Sequence, residues 1–289
     1  MPNERPVLVH YHIFKNAGTS IDESLRRSFG DAWRTFEGAH ATDVLPAARL
    51  RTFLEAGPDL RAVSSHLARP PLPWPACCPI VLLRHPLDRA RSVFEFVCAD
   101  RTQPGSDLAR RVGFSGYLQW AMNGGHGGVV ILNYQTVHLS SASFRAGSVL
   151  NARPADGDLD DACALLDSCD AVGLVDQFGP SIALFQQAYG RSFPELRLEP
   201  HWCNRTRSHT GTLAQRVAEM RQELGEALFE RFLDKNRLDF ALYAFARERF
   251  TRLCVQHCIP LSRPSSADLP PLGAVLGEVA VAHLPFERP

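Results

Sequence analysis

An eight-residue, mostly apolar run at 7–14 (VLVHYHIF) leads straight into a turn at 15–20 (KNAGTS) and then an amphipathic stretch at 20–29 (SIDESLRRSF). The run reads as a buried strand, and Ile21, Leu25 and Phe29 fall on one face of a helix. The pattern recurs along the chain. Further strands are expected at 61–65 (RAVSS), 79–83 (PIVLL), 129–133 (VVILN) and 171–175 (AVGLV), and helices at 87–98, 177–189, 213–233 and 234–250. Parallel strands need crossover connections, usually helices, so short buried strands alternating with helices predict an α/β fold with a parallel sheet covered on both faces.

A chain of 289 residues, 45 % of them hydrophobic, can bury one sizeable core. One domain is expected over 1–253, with a tail at 254–289 that opens rich in proline and serine (IPLSRPSSADLPPLG) and ends in a stretch, GAVLGEVAVAHL, able to dock back. Residues 143–157 read as a loop or small excursion. The first residues lack the long apolar run of a signal peptide, and no stretch is long enough to span a bilayer, so a cytoplasmic protein is expected. The eight cysteines form no CxxC pair and fit reduced thiols. A formal net charge of zero disfavours extended nucleic-acid binding but leaves room for a local anion site.

Two segments carry the chemistry. In the first, a strand feeds a helix whose N-terminus offers unpaired N–H groups and a positive dipole end. Around it, Gly18 permits close backbone approach, Thr19 and Ser20 add hydroxyls, and Lys15, one of two lysines in the chain, adds a compact charge. Lysine precedes the glycine here, unlike the GxxxxGK[ST] nucleotide loop. The same residues also fit an ordinary βα turn with a solvated lysine. In the second segment, at 80–96 (IVLLRHPLDRARSVFEF), a strand ends in Arg84, Pro86 opens a helix, and Ser92 follows two turns later. Arg84 and Ser92 could grip one phosphate. Pairing of Arg84, Arg89 and Arg91 with Asp88 and Glu95 is the alternative.

Taken together, the segments resemble those of sulfotransferases that use 3′-phosphoadenosine 5′-phosphosulfate (PAPS). HIFKNAGTS looks like their 5′-phosphosulfate loop, HxPKTGGTS, and VLLRHPLDRARSVFEF resembles their 3′-phosphate motif, LRxPxxRxxSxY/F. Order and spacing are similar to the carbohydrate branch that includes heparan sulfate 2-O-sulfotransferase. Weaker likenesses follow in family order: 133–136 (NYQT), VGLVDQFGPSIALF, the 203–208 loop CNRTRS, and NRLDFALYAFA. The likeness spans residues 7 to 250 and departs at Phe14, where the family prefers proline, and at Asn16–Ala17, where Thr–Gly is commoner. It implies a P-loop-like sheet. It also implies that Lys15, Asn16, Ala17, Gly18, Thr19 and Ser20 hold the phosphosulfate, that Arg84 and Ser92 hold the 3′-phosphate, and that Arg205 and Arg207 close over the nucleotide.

Sulfuryl transfer is mostly positioning and charge stabilisation, with Lys15 and the loop N–H groups facing the leaving phosphate. No metal is expected: His10 and His12 share a strand face without an evident third ligand, and Cys254, His257 and Cys258 make no convincing zinc set. The acceptor proton needs a base. His66, at a predicted strand end, matches the family's xGHxxF histidine. Glu23, eight residues after Lys15, stands where related N- and 3-O-sulfotransferases carry a catalytic glutamate. The acceptor is expected to be a hydroxyl-bearing glycan, lipid or metabolite; oligomeric state is not legible. Rival readings are a P-loop-like nucleotide-dependent kinase and a non-catalytic nucleotide- or glycan-binding module.

Overall fold

The computed structural model describes residues 5–125, 127–149, 151–200 and 211–261. In chain order the elements are β1 (Val7–Tyr11), α1 (Gly18–Phe29), β2 (Trp33–Thr35), α2 (Ala47–Ala56), β3 (Ala62–Ser65), β4 (Cys77–Ile80), β5 (Leu82–Leu83), α3 (Pro86–Ala99), α4 (Ser106–Met122), α5 (Gly128–Ile131), α6 (Tyr134–His138), α7 (Ala142–Ala146), α8 (Asp158–Ser168), β6 (Gly173–Leu174), α9 (Phe178–Tyr189), α10 (Leu213–Leu224), α11 (Glu226–Lys235) and α12 (Arg237–Gln256). The fold is α/β: a central parallel sheet ordered β2-β3-β1-β4, flanked by helices.

β1 is central, and all five of its residues are buried, which is why its sequence runs apolar without alternation. It pairs with β3 on one side (Val9↔Val63) and β4 on the other (Val9↔Pro79). The single strand expected at 79–83 is two pieces. β4 pairs with β1; then at Val81 the chain changes neighbour, and β5 pairs in parallel with β6. The Val81 carbonyl accepts the Gly173 N–H at 2.9 Å, so the ladder continues across the break.

The structure departs from several expectations for identifiable reasons. Of the strand expected at 129–133, residues 129–131 belong to helix α5 and 132–133 form a turn; four apolar residues carry no period with which to decide. A Cβ on Gly128 would lie 2.5 Å from the Ala121 carbonyl oxygen, so this turn packs backbone-close on the end of α4. The helix expected over 213–233 is two, broken at Gly225, whose φ of 71° and ψ of 158° no helix accommodates. The loop at 143–157 holds part of α7, and α4 escaped notice because Gly113 (φ 69°) interrupts its period. The domain boundary expected at 253 falls inside α12, which continues to Gln256; the tail stretch GAVLGEVAVAHL lies outside the described residues.

A buried polar latch closes the C-terminal helix onto the body. Asn133, in the left-handed region at φ 49°, accepts the N–H groups of Leu238 (3.1 Å) and Asp239 (3.2 Å) on its side-chain oxygen. Asp239 in turn accepts from Gln135 N (3.1 Å), Thr136 N (2.8 Å) and Thr136 Oγ1 (2.9 Å). The NYQT and NRLD segments are therefore two halves of one contact. Asp239→Ala would leave three buried donors unpaired and is expected to lower unfolding free energy by roughly 3 kcal/mol or more in urea titrations.

Candidate functional site

The Lys15–Ser20 loop emerges from the carboxyl end of β1, where ligands gather in parallel sheets. Lys15 (φ 66°) and Ala17 (φ 60°) both take left-handed conformations, costly for residues with a Cβ and sustained only by surrounding structure. The support is visible. Asn16 is buried, and its Nδ2 donates to the Leu82 carbonyl and to Gln135 Oε1, each at 2.8 Å. Nδ2 of Asn16 is thus spent on holding the loop and its backbone N–H donates to the Ile13 carbonyl at 3.1 Å, whereas its buried Oδ1 has no hydrogen-bond partner among the described residues. Thr19 is exposed at the head of α1 and Ser20 is buried. Left-handed loop residues followed by a helix N-terminus make a concavity suited to an anion.

The Arg84 segment meets this loop. Gln135 Oε1 also accepts the Arg84 N–H (2.9 Å), its Nε2 donates to the Arg84 carbonyl (2.9 Å), and Arg84 Nη1 donates to the Lys15 carbonyl (3.1 Å). Pro86 is the first residue of α3, as its missing N–H predicts, and Ser92 is buried on the same helix. The alternative of internal pairing holds in part: Arg84 Nε donates to Asp88 Oδ2 at 2.7 Å. Arg89 and Arg91 do otherwise. The Arg89 guanidinium is buried and donates to the Phe14 carbonyl at 3.3 Å, while Arg91 pairs with Glu223 and covers the Phe114 ring. The Lys15 ammonium lies 4.9 Å from the Phe96 ring centroid; burial, then the Arg84 charge, push its pKa down, with Glu95 opposing. Arg205 and Arg207 lie outside the described residues.

Three imidazoles stand in a row beside the loop. His12 stacks on His66 with centroids 3.8 Å apart, and on His10 at 5.2 Å. Asp22, on α1, receives His10 Nδ1 on one oxygen and His12 Nδ1 on the other, both at 2.8 Å. Burial alone would raise the Asp22 carboxyl, but the two imidazoles overcome it and hold its pKa far below the usual carboxylate range. An ionised carboxylate only accepts, so both histidines donate from Nδ1. A Cβ on residue 18 would sit 2.3 Å from His12 Nε2, so Gly18 is required by this ring and not only by an approaching ligand. His66 is exposed, with Nδ1 on Glu37 Oε1 at 2.9 Å.

Of the two expected bases, only His66 joins this row. Glu23 turns to the surface, where Arg26 and Arg27 grip it at 2.8 and 2.9 Å, away from the loop. The placing of His12, Asp22 and Glu37 around His66 does not follow from any motif. A legible signal existed for Asp22: it is a carboxylate one turn beyond Gly18, next to the buried Ile21 on α1. It is also the third ligand that His10 and His12 lacked, since His10, His12 and Asp22 could hold a cation with ligand atoms within 4.8 Å of one another. Hydrogen bonds to Asp22 already engage Nδ1 of both histidines.

No protein-family model matches the chain. The chain is 25 % identical over 248 compared positions to an uncharacterized protein of Archaeoglobus fulgidus, a match that covers 83 % of this chain and 95 % of that protein.

His85, at the N-cap of α3, packs edge-on against Phe240 and Tyr243, and burial pushes its pKa down to about 4. Unfolded, it titrates near 6.5, so below that pH the unfolded chain binds a proton that the folded chain refuses. Stability is therefore expected to fall as pH drops from about 6.5 to 4, by roughly 3 kcal/mol for this residue, with His12 and His138 adding to the fall. His85→Leu should make the pH dependence of the denaturation midpoint measurably shallower.

Proposed function

We propose that this chain is a sulfotransferase that moves a sulfuryl group from PAPS to the hydroxyl of a glycan, lipid or metabolite acceptor. The observation that carries the reading is the junction of two anion-competent segments 69 residues apart, joined by the Arg84 Nη1 contact to the Lys15 carbonyl and clamped by Gln135. On this reading the helix N–H groups and Lys15 bind the phosphosulfate, and Arg84 with Ser92 takes the 3′-phosphate. The Lys15 charge matters most as the bridging oxygen leaves. His66 accepts the acceptor proton on Nε2, because Glu37 holds its Nδ1–H. His12, fixed by Asp22, backs it face to face.

Calorimetry separates this reading from its rivals. Binding of adenosine 3′,5′-bisphosphate over ATP, with turnover of PAPS, supports it; preference for ATP favours a kinase, and binding without turnover favours a recognition module. Lys15→Ala is expected to damage kcat more than donor affinity, and Arg84→Ala to weaken donor binding by about 1.5–3 kcal/mol. Wild-type kinetics in both variants would refute the pocket.

His66→Ala is expected to lower kcat by about 10²–10⁴ with bisphosphate affinity kept, whereas Glu23→Gln should leave kcat near wild type. A collapse in His12→Ala with His66→Ala still active would transfer the role to His12. Turnover is expected to survive EDTA, since Lys15, Arg84 and the helix N–H groups supply the positive charge the donor needs. Activity lost to EDTA and restored by one divalent ion would overturn that expectation.

A further inference from the structure

Arg216, on α10, belongs to no sequence motif, yet it meets the Arg84 segment directly. Its Nε donates to Asp88 Oδ1 at 2.9 Å, while Arg84 Nε donates to Asp88 Oδ2 at 2.7 Å. One carboxylate therefore holds two guanidiniums, with side-chain exposures of 13 % for Arg216 and 5 % for both Arg84 and Asp88. A single arginine would already neutralise the carboxylate. Withdrawing a second guanidinium from water is costly unless more negative charge arrives to meet it. Asp88 stays ionised: burial alone would raise its pKa, but Arg84 and then Arg216 drive it well below the usual range. The trio thus carries a surplus of about one positive charge.

The geometry of Arg216 fits a positioned recognition group. Its Nη1 donates to the Gly211 carbonyl at 3.0 Å, so both Nε and Nη1 are anchored; Nη2 has no protein partner among the described residues. The helix bearing it is itself fixed at its start by a capping box, Thr212 with Gln215. A guanidinium held by two of its nitrogens presents the third in a set direction, and planar forks of this kind match the oxygens of a phosphate. Nearby His85 is kept neutral by burial and adds no opposing or competing charge at neutral pH.

We propose that Arg216 and Arg84 together form the cradle that selects a nucleotide phosphorylated on its 3′ position, with Asp88 as the positioning carboxylate that sets the spacing between the two guanidiniums. This rests on the donor reading above and assigns within it a residue that no motif indicates. Two anchored arginines on one ionised carboxylate leave about one positive charge uncompensated, which a 3′-phosphate monoester meets and a 3′-hydroxyl does not.

The test compares adenosine 3′,5′-bisphosphate with adenosine 5′-monophosphate by calorimetry on wild type, Arg216→Ala and Arg216→Lys. Wild type is expected to prefer the bisphosphate. Arg216→Ala should weaken the bisphosphate by about ten- to a hundredfold and leave the monophosphate unchanged, collapsing the preference. Arg216→Lys keeps the charge and most of the stem, so it guards against a folding defect. It should also lose bisphosphate affinity selectively, because an ammonium cannot reproduce the anchored fork. Unchanged bisphosphate affinity in both variants, or equal loss of the two ligands, would overturn the assignment. A wild-type protein that binds neither ligand, or both equally, would sink the donor reading itself and this assignment with it.

Discussion

The carboxamide of Gln135 is the contact on which the candidate site depends. Buried at the start of α6, it accepts from Asn16 Nδ2 and Arg84 N on one atom and donates to the Arg84 carbonyl with the other. Three chain segments that are remote in sequence thereby share one planar group. The separation of the Lys15 loop from Arg84 is fixed by covalent geometry within that group rather than by flexible side chains. The two left-handed residues of the loop persist because Asn16 is tied at 2.8 Å to both this amide and the Leu82 carbonyl. Removing either partner would leave buried polar atoms unpaired, which costs more than the bond itself contributes.

Gln135 is in turn held by Asp239, whose carboxylate takes its backbone N–H and those of its neighbour. Burial raises the pKa of Asp239, and the Arg89 charge and these hydrogen bonds oppose it. The chain of dependence runs from α12 to α6 to the loop after β1. This gives the C-terminal helix a positional role at a site it does not line, and it explains why the polar residues of two distant segments are buried where apolar ones would pack as well.

Charge is distributed around the loop in two separate systems. On one side, Asp22 and Glu37 hold Nδ1 of the three histidines. On the other, Asp88 holds Arg84 and Arg216. The first arrangement orients imidazoles and the second gathers positive charge, and the Lys15 ammonium lies over Phe96. Both use a carboxylate as a fixed anchor, and in both the partners overcome the pKa rise that burial alone would cause.

The sequence by itself determined the β1–turn–α1 unit, the α/β class, the Arg84–Pro86 helix start and most strand positions, because apolar runs and their period are local properties. It also marked NYQT and NRLD as distinctive, without indicating that they meet. Only the tertiary structure decided what touches what. Adjacent residues on a helix point about 100° apart, so Asp22 turns inward to two histidines while Glu23 turns outward to two arginines, a difference invisible in their spacing from Lys15. Residues 129–131 are helical where the preceding Gly128 packs closely on α4, and the strand at 79–83 broke because it changes neighbour midway. Arg216 met Asp88 across 128 residues. Long-range pairing of buried polar groups follows from how the sheet and helices pack, and periodicity carries no record of it.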